Sequence, residues 1–193
     1  MQIDPATLSN ADNYKLLTNL VVPRPIAWVT TQSKSGVINL APFSFFNAVG
    51  SNPPYIIISI GDNDSGQPKD TATNILDSRE FVVNLVTEEL FEAMNISAAN
   101  LHTMIRISPP RVAEAQVSLE CTVFSAQRLG ANTLFIGEVV MFHIADRLIG
   151  PRLHIKDFAP IGRLGSPAFY SRTTDRVNVP RVSYAQWLTS REN

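Results

Sequence analysis

The side chains with the most chemical promise fall on two short stretches, and neither holds a nucleophile. Lys69-Asp70-Thr71 stands directly before a segment that reads as a short helix through Leu76. A helix start offers free backbone N–H groups and the positive end of its dipole, so a cation and a hydroxyl there attract an anion such as phosphate. Thr30, Thr31, Ser44 and Ser59 add hydroxyls at the ends of apolar segments. The plainer alternative is that Asp70 and Thr71 cap the helix while Lys69 is solvated. The second stretch runs from Asn39 through Ala41, Pro42, Phe43, Ser44, Phe45 and Phe46 to Asn47. Pro42 has no N–H, so donors toward the polar edge of a planar ligand must come from Ala41, Ser44 and Asn47. The phenylalanines offer an apolar wall, and at least two of the three are expected in the core.

Other chemistries lack their residues. The nearest approach to a dinucleotide glycine pattern, Gly162-Arg163-Leu164-Gly165, has no strand-to-helix context. There is no P-loop, no paired-histidine zinc motif and no nucleophile elbow. His102, His143 and His154 are scattered, and no metal site is expected. Cys121, the only cysteine, sits in an apolar run and reads as a small buried hydrophobe. One cysteine also excludes a disulfide framework within the chain. A chain so equipped would take redox or transfer chemistry from a bound cofactor.

These residues need strands to position them. Leu8 to Leu20 reads as a helix with Ser9 or Asp12 as cap, stopped by Pro23 and Pro25. Ile26 to Thr31 reads as a strand, turning at Gly36 into a hairpin partner at Val37 to Leu40, with a loop over Ala41 to Asn47. Tyr55 to Ile60 is a continuous apolar run, typical of a strand buried on both faces. Glu80 to Val86 is a further strand, and Thr87 is expected to cap a helix from Glu88 to Met94. Val117 to Ala126 and Thr133 to Ala145 form a long hairpin through Gly130. The tail from Pro151 is expected to be mostly extended, with a short helix over Ser183 to Ser190. Strands joined by turns, with few helices, predict a mainly β, antiparallel, Greek-key-like barrel.

Composition narrows the class. The 193 residues are 45% hydrophobic and 17% charged, with a net charge of -1. That predicts one globular domain over 1–193 and gives no electrostatic case for nucleic acid or an anionic membrane. No apolar run approaches the roughly 20 residues of a spanning helix. The N-terminus lacks a basic and apolar signal, so a cytoplasmic protein is expected.

Several motifs in order give a resemblance. Pro23-Arg24-Pro25-Ile26-Ala27 is followed by Asn39 to Asn47, Pro53-Pro54, Lys69-Asp70-Thr71 with Asn74-Ile75, and Glu80 to Leu85. Pro109-Pro110-Arg111, Glu120-Cys121, Gly137-Glu138-Val139 and Arg163-Leu164-Gly165 follow. Over roughly residues 14–170 the chain resembles the flavin reductase-like, FMN-binding split-barrel family, with 171–193 as an extension. The resemblance implies a split-barrel homodimer with FMN near the interface. It places Thr30, Thr31, Ala41 to Asn47, Ser59, Lys69, Asp70 and Thr71 around the flavin. It also implies that Arg163 and Tyr170 reach toward the cofactor, from the partner subunit.

The implied activity is hydride transfer from NADH or NADPH to FMN. Electrons would then pass to a small-molecule or protein acceptor: free flavin, a metal complex or a partner monooxygenase. A flavoredoxin-like carrier without its own nicotinamide site is the alternative. No side-chain acid or base is required; Arg24 or Arg163 would steady negative charge on the reduced ring. For Arg24 the alternative is a structural salt bridge. One departure concerns Ser97 to Ser108, which is shorter than the acidic-aromatic insertion of such relatives and bears on the substrate side of the flavin.

Overall fold

The computed structural model describes residues 1–96, 101–102, 107–165 and 168–179. A single 3-10 turn, Pro5–Thr7, precedes α1 (Asn10–Leu20). Ser9 is the N-cap of α1: its hydroxyl accepts from the Asp12 N–H at 3.1 Å. A two-residue strand β1 (Arg24–Pro25) leads into β2 (Ala27–Gln32). Gly36, with φ +85°, turns the chain back into β3 (Ile38–Phe43). Then come β4 (Phe46–Ser51) and β5 (Pro54–Gly61), α2 (Asp70–Ser78), and β6 (Glu80–Leu85).

A 3-10 turn, Glu88–Leu90, and α3 (Phe91–Ile96) replace the single expected helix. Thr87 occupies the cap position there without a side-chain capping bond. Two short strands, β7 (Leu101–His102) and β8 (Arg111–Val112), precede the long hairpin β9 (Val117–Leu129) and β10 (Asn132–Ile144). Gly130, at φ +58°, makes its turn as expected. The tail is largely irregular and extended, with a 3-10 turn at Pro151–Leu153 and short strands β11 (Gly162–Arg163) and β12 (Tyr170–Ser171). The expected helix over Ser183 to Ser190, and most of Ser97 to Ser108, lie outside the described residues.

Seven strands form one antiparallel sheet in the order β3-β2-β6-β9-β10-β5-β4. The two edge strands β3 and β4 are joined in sequence through the Ser44–Phe45 corner, where the Phe45 carbonyl accepts from the Ser59 N–H at 2.8 Å as the next rung of the β4–β5 ladder. The barrel interior is filled by alternate residues, among them Val29, Ile58, Phe81, Val83, Leu119 and Phe135. Gly137 leaves room for Phe81: a Cβ there would lie 2.5 Å from the ring. A second apolar cluster, including Trp28, Val86, Met94, Val112 and Ile161, lies on the outer face of β2.

This second layer corrects one expectation. β5 is not buried on both faces: Ile56, Ile58 and Ile60 are buried, while Tyr55, Ile57 and Ser59 are half-exposed. The strands buried on both faces are the neighbours β2 and β6 and the first half of β9; over β2 the cover comes from the segment after β6, which folds back onto it. Asn84 is the rivet. Its Nδ2 donates to the Trp28 carbonyl (2.9 Å) and Thr30 Oγ1 (3.0 Å), and its Oδ1 accepts from the Val112 N–H and the Ser118 hydroxyl, both at 2.9 Å. No helix among the described residues is long and apolar enough to cross a membrane.

Candidate ligand-binding site

The expected loop over Ala41 to Asn47 is mostly strand. Phe43 ends β3 and Phe46 begins β4, so only Ser44 and Phe45 form the corner. Phe43 and Phe46 pack on the barrel core, while Phe45 tilts against Tyr14 at 6.0 Å between ring centres. Local patterning misses the strands because small and amide residues are poor strand formers, and the Ala41–Val29 and Asn47–Ile57 pairings come from distant neighbours.

Arg24 holds this corner from beneath and is only 6% exposed. Its Nε donates to the Ser44 hydroxyl at 3.3 Å. One terminal nitrogen donates to the Thr18 and Val21 carbonyls, both at 2.6 Å, and the other to the Leu164 carbonyl at 3.0 Å. The alternative of a structural salt bridge thus takes another form, with carbonyls as the partners, two of them at the negative end of α1. Burial draws the Arg24 pKa below its ordinary value; Tyr14 opposes the shift and Arg163 adds to it.

Above the corner lies a cleft of about 540 Å³. It is lined by Tyr14, Pro42, Phe43, Ser44 and Phe45 together with Ser59, Asp62, Asp64, Lys69 and Asn132. Asn132 lies opposite Gly61 in the β5–β10 register and donates to the Ser59 hydroxyl at 3.1 Å. Arg128 bonds to Asp62 (2.8 Å, Nη1 to Oδ1) and holds that carboxyl below its usual range. That pairing offsets one of the two acidic charges in the cleft.

Lys69 is itself the N-cap residue of α2 and makes no side-chain cap bond. This corrects the expectation that Asp70 or Thr71 caps the helix. Thr73 is the first residue whose N–H bonds back, to the Lys69 carbonyl, so the preceding turn of N–H groups has no partner within the helix. Asp70 is exposed in that turn. Thr71 is buried, and its hydroxyl accepts from Asn39 Nδ2 at 2.7 Å.

Thr30 and Thr31 are fully buried. The Thr30 hydroxyl accepts from Asn84, and that of Thr31 from Asn74 at 3.1 Å. These bonds tie β2 to β6 and α2. Asn47 is exposed, and its side-chain oxygen accepts from the Ala48 N–H at 2.9 Å. The structure thus gathers Pro42 to Phe45, Ser59 and Lys69 around one cleft, while Thr30, Thr31, Asn39 and Thr71 do not line it: Asn39 bonds to Thr71, Thr31 to Asn74 and Thr30 to Asn84 instead.

Arg163 and Tyr170 lie on the other side of the corner. They face each other across β11 and β12, and the Arg163 guanidinium stands 4.6 Å from the centre of the Tyr170 ring. Phe91 meets that ring edge-on, with centroids 4.6 Å apart. Together with Ile26, Met94, Tyr14 and Pro42 to Ser44 they line a second cleft of about 190 Å³. Sequence reading missed Tyr14, Asp62, Asp64, Met94 and Asn132. Tyr14 appears only as part of a weakly amphipathic helix, and Asn132 enters through β5–β10 pairing, which no local pattern announces.

Elsewhere, the buried Glu120 bonds to His143 at 2.5 Å. Cys121 is fully buried, and burial pushes its thiol pKa well up. Among the described residues no cluster of three His, Cys, Asp or Glu could hold a metal.

Comparison with known proteins extends this geometry. Residues 19–158 match the model of the flavin reductase-like domain. A Halalkalibacterium halodurans protein of uncharacterised function is 42% identical, over 96% of this chain and 99% of its own. The crystal structure of nitrilotriacetate monooxygenase component B from Bacillus cereus superposes with a TM-score of 0.86 at 36% identity, covering 93% of this chain and 98% of that one. Pseudomonas fluorescens 2-nitrobenzoate 2-nitroreductase NbaA gives 0.86 at 33% identity, over 95% and 98%. A Shewanella frigidimarina structure with a split-barrel domain, 18% identical with a TM-score of 0.77 over 94% and 100%, shares the fold. The architecture is a split barrel, and the chain belongs to the flavin reductase-like domain family.

Proposed function

We propose that the protein binds FMN in the cleft between Lys69 and the Ser44 corner and works as a flavin reductase-type oxidoreductase. The observation that carries this reading is the donor set. An uncapped helix start with Lys69 at its cap stands beside a cleft of about 540 Å³ walled by Tyr14, Phe43 and Phe45. The residues fit the group: free N–H groups and an ammonium suit a phosphate, and an aromatic wall with Ser44 and Asn132 suits a polar-edged ring. When bound, FMN would accept hydride from NADH or NADPH and deliver electrons to a second acceptor. The chain's part is positioning. Lys69 and the α2 N–H groups hold the phosphate. Ser44, oriented by Arg24, meets the ring, and the Asn39–Thr71 bond keeps α2 at its distance from β3. The similarity to a monooxygenase component and a nitroreductase supports an acceptor that is a partner enzyme or a small organic molecule.

A second copy of the chain is part of the reading. Leu17 and Leu20 of α1, its C-cap Val21, and Val49 of β4 are exposed, and an apolar groove of about 330 Å³ runs between α1 and the β4–β5 hairpin. Such a face suits a homodimer interface close to the flavin. Light scattering at micromolar concentration checks it; a monomer would refute the interface.

The test of function is the visible spectrum of the purified protein with added FMN, then anaerobic NADH and NADPH in turn. Flavin bands that bleach support the reductase and choose the donor. Bands that stay oxidised until a partner protein is supplied indicate a carrier without a nicotinamide site. No bound flavin would sink the reading.

A further inference from the structure

A third cleft, of about 430 Å³, shares no residue with the two already described. Asn132 of the larger cleft opens β10, and His143 of this one stands near that strand's far end. Among the described residues it is lined by Arg111, Gln116, Phe142 and His143, with small and apolar residues between them and no carboxylate. Arg111 is half-buried, its Nε is buried without an acceptor, and it makes no ion pair among the described residues. A cation drawn out of water without a counter-charge is costly, and a bound anion offsets that cost. The fully buried Glu120 meets Nε2 of His143 at 2.5 Å and fixes the ring. An imidazolium carries two N–H groups, one for Glu120 and one for an anion. That ion pair is neutral as a whole, so the uncompensated charge is the one on Arg111. Gln116 donates to Glu89 at 3.2 Å and keeps a second amide N–H. Glu114, between the lining residues Ala113 and Ala115, is exposed and does not line the cleft. Phe142, 52% exposed, adds apolar ring surface.

We propose that this cleft is a binding site for an organic phosphomonoester with a flat body. Donors come from three segments: Arg111 on β8, Gln116 just ahead of β9 and His143 on β10. That number suits the three oxygens of a phosphoryl group better than the two of a carboxylate. Phe142 takes the flat body, and the volume falls within the roughly 300–1,000 Å³ of small-molecule sites. The site does not depend on the FMN reading, since none of its residues lines the larger cleft.

The test is calorimetric titration of phenyl phosphate, phenol, inorganic phosphate and benzoate into the full chain, with FMN affinity measured separately. Phenyl phosphate is expected to bind about tenfold more tightly than the other three, which lack the charge, the ring or the third oxygen. Arg111→Gln is expected to weaken phenyl phosphate about tenfold or more with Tm nearly unchanged. Arg111→Lys keeps the charge but loses the fork, and is expected to recover only part of the affinity. Phe142→Ala is expected to bring phenyl phosphate down to the affinity of inorganic phosphate. Lys69→Ala is expected to leave the Arg111-dependent binding in place, which separates it from phosphate held in the larger cleft. Phenyl phosphate binding that survives Arg111→Gln but falls in Lys69→Ala overturns the proposal and leaves the flavin reading intact. So does a protein that takes up FMN but no phenyl phosphate. Benzoate bound as tightly as phenyl phosphate overturns the choice of phosphate. Arg111-dependent binding in a protein that takes up no FMN keeps the proposal and defeats the flavin reading instead.

Discussion

The buried Arg24 guanidinium donates to the Ser44 hydroxyl at 3.3 Å, and through that bond the C-terminal end of α1 is coupled to the corner that separates the two clefts. Removing the side chain leaves the carbonyls of Thr18, Val21 and Leu164 without their donor. Arg24→Ala is expected to cost about 3 kcal/mol, roughly 6–12 °C in Tm for a chain of this size. Arg24→Lys recovers only part, since one ammonium cannot span all four acceptors. Ser44→Ala loses one bond and is expected to cost about 1 kcal/mol of stability, with a larger proportional loss of FMN affinity. Thermal melts and FMN titrations of the three variants separate these effects.

The Lys69 ammonium contributes charge while making no hydrogen bond or ion pair among the described residues. Lys69→Ala is expected to weaken FMN binding about tenfold with Tm nearly unchanged, and Lys69→Glu more strongly. The loss should shrink as salt rises, because the contact is solvent-facing. Fluorescence titration at two ionic strengths reads both; affinity unchanged in Lys69→Glu would move the phosphate elsewhere.

Gly137 and Phe81 interlock in the barrel interior, where a Cβ at 137 would lie 2.5 Å from the ring. Gly137→Ala is therefore expected to destabilise by about 2–3 kcal/mol through overpacking. Trimming the ring should relieve it, so the double variant with Phe81→Leu is expected to be more stable than the two single costs summed. Denaturant midpoints of the four-member cycle give the coupling.

The hydrogen bond from Arg128 holds the Asp62 carboxyl below its ordinary value of 3.8, and that from Arg172 does the same for Glu88 below 4.5. A carboxyl with a depressed folded pKa adds stability that is present above its unfolded value and lost as pH falls through the folded one. Both pairs therefore help at neutral pH, and their contribution is lost as pH falls below the ordinary carboxyl values of 3.8 and 4.5 and through the lowered folded ones. Carbon-detected NMR titration is expected to show the Asp62 carboxyl returning to its ordinary range in Arg128→Ala.

Cys121 is enclosed by the core and its thiol is pushed away from ionising by burial first and Glu120 second. Alkylating reagents are expected to leave it untouched in the native protein at pH 8 and to label it fully in denaturant. Mass spectrometry distinguishes the two states.

Several features were legible in the amino-acid order because their causes are local. The Ser9 cap, the glycine turns at 36 and 130, the β9–β10 hairpin and the apolar strands Ile26–Thr31 and Glu80–Val86 follow from dihedral preference and period-two patterning. The ordered motifs from Pro23 to Gly165 also led to the flavin reductase-like family. What only the tertiary structure decided was which faces meet. The Tyr55–Ile60 run looks doubly buried, yet its outer face is left uncovered because the covering segment after β6 is spent on β2. Arg24 looks like an ion-pairing residue, yet the folded chain offers it carbonyls from α1 and from Leu164, 140 positions away. Asn132 joins the larger cleft only because β10 pairs with β5, and Arg163 meets Tyr170 only because two two-residue strands pair beside β1. Short-range propensity sets an element's type, but long-range pairing sets its neighbours, and a binding site is made of neighbours.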